Sequence, residues 1–550
     1  KVPLLDCFTA PCKGGCPIHQ DIPEYIELCR KGAYASALRL ITEKNPLPFI
    51  TGTICAHNCM TKCMRNYYDE PVNIRATKLV AAEKGYDAYM SKITPPAPVT
   101  DGRKVAVIGG GPTGMSAAYF VGRAGIPVTL FEKADRLGGI VRQVIPAFRI
   151  SDEAIDKDVA LMEKMGVEVK LNTEAPSVAE LKAQGYTHIF FAVGAWKAGR
   201  LDIPGNVVPV IGWLRDMKAG KDVSLGHVAV VGGGNTAMDA ARAALRAGAK
   251  SSTLVYRRTK KYMPADAEEL EMAIADGVEF LELVAPVEQK DGKLICEKMK
   301  LGDPDDKGRR KPVPTGEMVE IPCDTVVSAV GEKVESEVFT RNGITVDEKG
   351  IPAFKTNLEG VYAGGDAMRG PATVVEGIAD AQYFANAVIG EAHKFAIPAK
   401  AVATREEAVA KKGVLCESAK CEGNRCLTCN VVCQVCADVC PNRANVVIEL
   451  PDGRQQILHV DRMCNECGNC AVFCPYDSAP YREKFTLFLT REGFDESVNN
   501  QGFLPLGGKK VLVRLDSKVF EADLDAKNDL PADIEVFIWT VLTKYAYLMG

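Results

Sequence analysis

Two stretches of this chain repeat one pattern of buried strand, glycine turn, helix and second strand. They are "KVAVIGGGPTGMSAAYFVGRAGIPVTLFEK", from Lys104, and "HVAVVGGGNTAMDAARAALRAGAKSSTLVYRRT", from His227. Their opening runs are short and continuously apolar, as strands covered on both faces must be. In the first, Gly109, Gly111 and Gly114 make G-x-G-x-x-G, which lets backbone and helix N-terminus approach a pyrophosphate. Glu132 ends the second strand, where a carboxylate binds ribose hydroxyls. A lone glycine motif is weak, because glycine turns also serve packing; here strand, helix and acid agree. In the second stretch Gly232, Gly234 and Ala237 make G-x-G-x-x-A, with Asn235 opening the helix. Its second strand ends in Arg257 and Arg258, which suit the 2′-phosphate of NADP where an acid would suit NAD. The bland reading, two solvated arginines, is outweighed by their position.

The first unit is completed late. "GVYAGGDAMRGPATVVEGIADAQYFA" (360–385) reads as strand, Gly-Gly-Asp turn and helix. Asp366 is placed to accept from a flavin ribityl hydroxyl, and the helix from Thr373 to face the isoalloxazine. The NADP unit is therefore an insertion between two halves of an FAD unit. "IFFAVGAW" (189–196) and "TVVSAVGE" (325–332) read as buried strands that lead into the crossings.

Twenty cysteines are many for a chain without a disulfide scaffold's small size, and they cluster. Seven lie between Cys7 and Cys63, eleven between Cys416 and Cys474, and only Cys296 and Cys323 in the long middle. "CNECGNCAVFCP" spaces Cys464, Cys467, Cys470 and Cys474 as C-x2-C-x2-C-x3-C-P. Thiolates at this spacing wrap three corners of one [4Fe–4S] cube, and the fourth reaches a second cube. A zinc knot usually shows two C-x2-C pairs far apart. Upstream, Cys433, Cys436 and Cys440 match C-x2-C-x3-C-P, with Cys429 as first ligand, one residue further back than usual. The crossed rule then joins Cys440 to Cys464, Cys467 and Cys470, and Cys474 to Cys429, Cys433 and Cys436. Cys416, Cys421 and Cys426 are left over, as spare thiols, an alternative ligand set or part of an interface site. At the other end Cys7, Cys12 and Cys16 stand at C-x4-C-x3-C-P, and Cys55, Cys59 and Cys63 follow after helical segments. Cys29 falls in an apolar helical pattern and reads as core.

The glycine motifs, "GGIVRQVIPAFRI" (138–150) and "YAGGD" resemble the glutamate synthase small-subunit type of FAD- and NADP-dependent oxidoreductase, and the equivalent segment of dihydropyrimidine dehydrogenase. The resemblance covers roughly residues 5–395 and implies that Gly139 and Arg149 contact FAD. It also implies two N-terminal [4Fe–4S] clusters, one on Cys7, Cys12 and Cys63 and one on Cys16, Cys55 and Cys59. The chain departs from the pattern at two ligand positions, Leu4 and Lys78, so Asp6, His57 or Glu70 become stand-in candidates unless one cluster is absent or incomplete. With the appended cysteine module, the whole order resembles the selenate reductase subunit family of anaerobic purine and selenium metabolism.

The expected fold class is multidomain α/β. The expected domains are a helical iron–sulfur domain (1–98), FAD halves (99–204 and 333–400), an NADP domain (205–332), a ferredoxin-like α+β module for two clusters (401–482) and a cap (483–550). The expected cofactors are FAD, NADP(H) and up to four [4Fe–4S] clusters. The expected activity passes electrons from NADPH through FAD and clusters to a redox partner subunit or upstream domain, with a molybdenum enzyme among the candidates. Rival readings are a glutamate synthase small subunit, whose usual forms lack the second cysteine module, and a wiring subunit with a vestigial flavin site. Net charge is −4 with no basic stripe, which argues against nucleic acid. No apolar run is long enough to span a bilayer and no signal peptide is evident, so the expected location is cytoplasmic. The start at Lys1 rather than Met suggests upstream sequence.

Overall fold

The computed structural model describes residues 4–5, 10–67, 69–221, 223, 225–305, 308, 310–390, 402–411, 422–431, 433–497 and 500–550. Asp6, Cys7, Cys416 and Cys421 lie outside the described residues. The chain forms two compact units, one of residues 34–56 and 78–397, the other of residues 1–33, 57–77 and 398–550.

The first unit is built on two five-stranded parallel sheets. One runs in the order Val361–Ala363, His188–Phe191, Val105–Ile108, Val128–Phe131, Glu168–Lys170. The other runs Val207–Pro209, Thr325–Ser328, His227–Val231, Ser251–Tyr256, Glu279–Glu282. The central strand Val105–Ile108 is buried along its whole length, which is why its sequence is apolar without alternation. The second sheet lies in the chain between the strands of the first. The two crossings between them, Lys197–Ala198 and Glu332–Lys333, pair antiparallel. A three-stranded antiparallel sheet (Val284–Lys290, Lys293–Pro304, Arg310–Pro322) is added to the inserted part.

Helices Tyr34–Thr42 and Pro48–Ile54 belong to this unit, although the sequence assigns them to a helical domain over 1–98. The reason is visible in their polar groups. The buried Asp158 carboxylate accepts from the N–H groups of Phe49 (3.1 Å) and Ile50 (2.8 Å) in the first turn of Pro48–Ile54. These are donors that a helix leaves unpaired. The Thr42 carbonyl accepts from the Tyr119 hydroxyl and from Arg123, each at 3.2 Å.

The second unit carries a six-stranded mixed sheet, Asn445–Glu449, Gln455–Val460, Thr486–Leu487, Gly502–Gly507, Lys510–Leu515, Lys518–Asp523. The expected boundary at 482/483 is therefore corrected: cysteine module and cap share one sheet. Strand Gln455–Val460 is buried at every position, and Thr486–Leu487 pairs beside it in parallel, His459 opposite Thr486. An exposed strand edge would invite foreign pairing, and the segment after residue 483 covers it. Helix Ala532–Lys544 packs Phe537, Ile538 and Val541 into the same core, and Leu4 packs against it. Among the described residues no helix is long and apolar enough to cross a membrane.

Candidate functional site

The first glycine turn forms the floor of a cleft of about 640 Å³, lined by Gly109, Gly111, Glu132, Gly139, Asp366 and Thr373. That volume is in the usual range for a cofactor site. Gly109 has φ +105°, and a Cβ there would meet the Ala192 carbonyl oxygen at 2.5 Å. A Cβ on Gly139 (φ +55°) would lie 2.8 Å from the Cα of Gly111. Two bare backbones thus approach each other at the N-terminus of helix Pro112–Arg123, closer than side chains would allow. The Glu132 carboxylate accepts from Gly110 N–H (2.6 Å) and Ala134 N–H (2.8 Å), which fixes it on the rim.

Asp366 follows the Gly364–Gly365 turn and accepts from Ala372 N–H at 3.1 Å. Burial pushes its carboxyl up to about 7; the Ala372 bond opposes this, and Glu332 and Glu376 add to it. Thr373 caps helix Val374–Ile389 in a reciprocal pair, its N–H donating to Glu376 at 2.9 Å. Pro209, Ile211 and Arg215 of the inserted part line the same cleft.

The second turn is sterically different. A Cβ on Gly232 would meet the Ala329 carbonyl oxygen at 2.3 Å, whereas one on Gly234 would meet nothing within 4 Å. Gly234 is thus bare toward open space at the N-terminus of helix Asn235–Arg246, where the Asn235 side chain accepts from Asp266 N–H at 3.0 Å. Ala237 is buried. Arg257 is exposed beyond strand Ser251–Tyr256, and Arg258 donates to the Arg310 carbonyl at 3.3 Å.

Arg149 is not among the residues that line the first cleft. Its guanidinium donates to Asp239 (2.6 Å) and to Glu269 (2.6 Å), two buried carboxylates of the inserted part. Burial pushes the Asp239 carboxyl up to about 6, against the pull of Arg149.

None of the described cysteines forms a disulfide. Among the described residues no three His, Cys, Asp or Glu side chains stand close enough to hold a single metal ion. The groupings that follow are of thiols that share a pocket or act on one another electrostatically. Cys440 and Cys470 both act on Cys464, and Cys440 and Cys467 both act on Cys470. The sulfur of Cys440 accepts from Ala444 N–H (3.2 Å) and that of Cys464 from Glu466 N–H (3.3 Å). Cys436 packs with Cys474 against Ile457, and Cys433 is buried.

Cys429 differs from its expected grouping. It lines a pocket with Cys12, Cys63 and Cys426. The chain between Cys426 and Cys429 passes through Thr428 at φ +47°, a left-handed turn that a ferredoxin spacing does not foresee. Burial pushes the Cys12 thiol well up, and Cys426, Cys429, Cys63 and Cys59 push the same way. Burial likewise pushes Cys426 up to about 12. Cys16 and Cys59 are buried near the Tyr25 hydroxyl, which burial and these thiols raise. Cys55 ends helix Pro48–Ile54 in the other unit, and Cys29 is half-buried. The stand-in ligands are otherwise engaged or exposed: His57 is hydrogen-bonded to Arg75 at 3.1 Å, and Glu70 is exposed. Lys78 is buried within electrostatic reach of Asp158.

Residues 103–381 match the family model described as pyridine nucleotide-disulphide oxidoreductase. Residues 4–88 match that described as dihydropyrimidine dehydrogenase domain II, 4Fe-4S cluster. The whole chain is 41% identical to the oxidoreductase YgfK of Escherichia coli (strain K12), and spans 56% of that relative's length. It is 36% identical to the NADP(+)-dependent formate dehydrogenase subunit beta of Moorella thermoacetica, over 68% of this chain and 58% of that one. It is 32% identical to the glutamate synthase [NADPH] small chain of Halomonas elongata, over 68% of this chain and 86% of that one.

Proposed function

Because the chain belongs to the pyridine nucleotide-disulphide oxidoreductase family, in its glutamate synthase small-chain-like form, we propose that it is the reductase part of a larger electron-transfer enzyme. It is an NAD(P)H-dependent oxidoreductase that binds FAD, NADP and [4Fe–4S] iron–sulfur. When bound, the flavin supplies hydride uptake and single-electron release, and the clusters carry single electrons.

The chain's own residues bind, orient and insulate. Gly111 and Gly139 admit a pyrophosphate, Glu132 takes ribose hydroxyls, and Asp366 takes a ribityl hydroxyl. Thr373 and its helix close the far wall. Arg257 and Arg258 hold the 2′-phosphate and so choose NADPH. No side-chain acid or nucleophile is required for hydride transfer. One observation carries the proposal: the cleft over the first glycine turn takes part of its lining from the inserted part, through Pro209, Ile211 and Arg215, so the inserted unit borders the flavin cleft. Cys467, the exposed member of its group, supports an exit for electrons at the surface.

The partner is a subunit or domain that accepts single electrons. Whole-chain similarity to the Escherichia coli oxidoreductase, and two relatives named as subunits beta, support such an assembly. The order of modules supports the selenate reductase subunit family and a molybdenum enzyme as partner. The test is anaerobic reduction of a one-electron protein acceptor. NADPH should drive it well and NADH poorly, whereas equal rates, or no reduction by either, would refute the reading.

A further inference from the structure

The sequence leaves Cys426 without a role, and the fold puts it beside two thiols, Cys12 and Cys63, from the far end of the chain. We propose that Cys426 and Cys429 complete, with Cys12 and Cys63, the four-thiolate ligand set of one [4Fe–4S] cluster. The N-terminal and C-terminal cysteine segments would then share that cluster. The proposal rests on the iron–sulfur reading above and extends it to a ligand set that neither segment holds alone.

The four thiols line one pocket, walled otherwise by apolar groups such as Pro11, Ile26, Met64 and Ile74. A dry, apolar shell is what keeps water from a cluster and sets its potential. Cys426 and Cys429 stand at C-x2-C, the short spacing by which neighbouring thiolates grip one cluster.

Charge agrees. Arg65 is 1% exposed and also lines the pocket, and Arg425 lies within electrostatic reach of Cys63. Both guanidiniums are positioned by Asp69, at 2.8 Å and 3.2 Å, and Arg425 also by Glu422 at 2.9 Å. Four thiolates around iron leave negative charge, and two fixed cations beside them offset it. The two segments are also clamped independently of iron, by Lys411 on the buried Glu27 (3.3 Å) and Asn430 on Glu24. The ligands are thus presented together before metal arrives, and each thiol gives up its proton as it binds.

The test compares the anaerobically purified, flavin-loaded parent with Cys426→Ala, Cys429→Ala and Cys433→Ala. Iron content, flavin content and low-temperature paramagnetic resonance after dithionite are read on each. Cys426→Ala and Cys429→Ala should lose or alter the same resonance and shed about four irons. Cys433→Ala should alter a different resonance. Unchanged iron and resonances in Cys426→Ala would overturn the proposal. So would a Cys429→Ala defect in the resonance that depends on Cys433. Should an alanine variant lose flavin as well, and so have failed to fold, Cys426→Ser replaces it. A serine oxygen should shift that one resonance at parental flavin content, and an unshifted spectrum would overturn the assignment. A parent with no iron would overturn the electron-transfer reading itself, and this proposal with it.

Discussion

Arg149 carries a positive charge into a place where two carboxylates have lost their water. Asp239 and Glu269 are 7% and 3% exposed, and the guanidinium holds both. Removing one member of a buried ion cluster leaves the others uncompensated, at about 3–5 kcal/mol. Arg149→Ala should therefore lower the urea midpoint of the first unit by that order, even with flavin bound, and Arg149→Lys should lower it less. A midpoint within error of the parent would show that the carboxylates are solvated. Arg257 and Arg258 stand in a different setting, past the end of strand Ser251–Tyr256, with Arg257 exposed and Arg258 half-buried, and the proposed function gives them the choice of nucleotide. Replacing both by alanine should weaken NADPH by about 2 kcal/mol in kcat/KM and spare NADH. An equal loss for both nucleotides would place the effect elsewhere. The steric demand at Gly109 and Gly232 was legible in the sequence, because a turn that packs against a carbonyl is a local feature marked by its glycine. The partners of Arg149 were not, since Asp239 and Glu269 lie on two helices far along the chain.

At the level of elements, strand Gln455–Val460 shows what burial does to a titrating group. His459 is 2% exposed, and its Nδ1 faces the Asn445 side-chain oxygen at 3.0 Å. Burial holds its pKa down at about 4, with Glu466 opposing weakly. An unfolded histidine takes its proton near 6.5, so below that pH the unfolded chain binds more protons than the folded one. The contribution to stability is whole above about pH 6.5 and is lost as pH falls toward about 4, up to about 3 kcal/mol. Protease susceptibility of residues 433–550 in urea should rise between pH 7 and pH 5 in the parent, and His459→Gln should flatten that rise. A parent with no pH dependence in this window would contradict it. The strands were readable from apolar runs, but not the sheet they make. Pairing of His459 with Thr486 crosses the expected domain boundary, and no local pattern announces a parallel neighbour. The same holds for helix Pro48–Ile54, whose capping carboxylate is Asp158.

Over the whole molecule, chemistry is divided between the two units: nucleotide turns in one, and most of the described cysteines in the other. Spacing alone pointed to an iron–sulfur ligand set in the C-terminal cysteines, because ligand spacing is a local signature, whereas the N-terminal clusters were read from family resemblance, and residues 4–88 match a 4Fe-4S family model. Spacing did not reveal that Cys12 and Cys426 share a pocket, which only the fold brings about. In the proposed function, electrons enter at the nucleotide turns and leave through the C-terminal cysteines. Rapid anaerobic mixing with NADPH tests it most directly, on parent and Cys467→Ala protein matched for flavin, with flavin bleaching and reduction of a one-electron protein acceptor followed together. Bleaching should proceed at nearly the parental rate in the variant, since it needs only the two nucleotide sites, while acceptor reduction should be strongly slowed. Undiminished acceptor reduction in a variant whose resonance spectrum has lost that cluster would contradict the account.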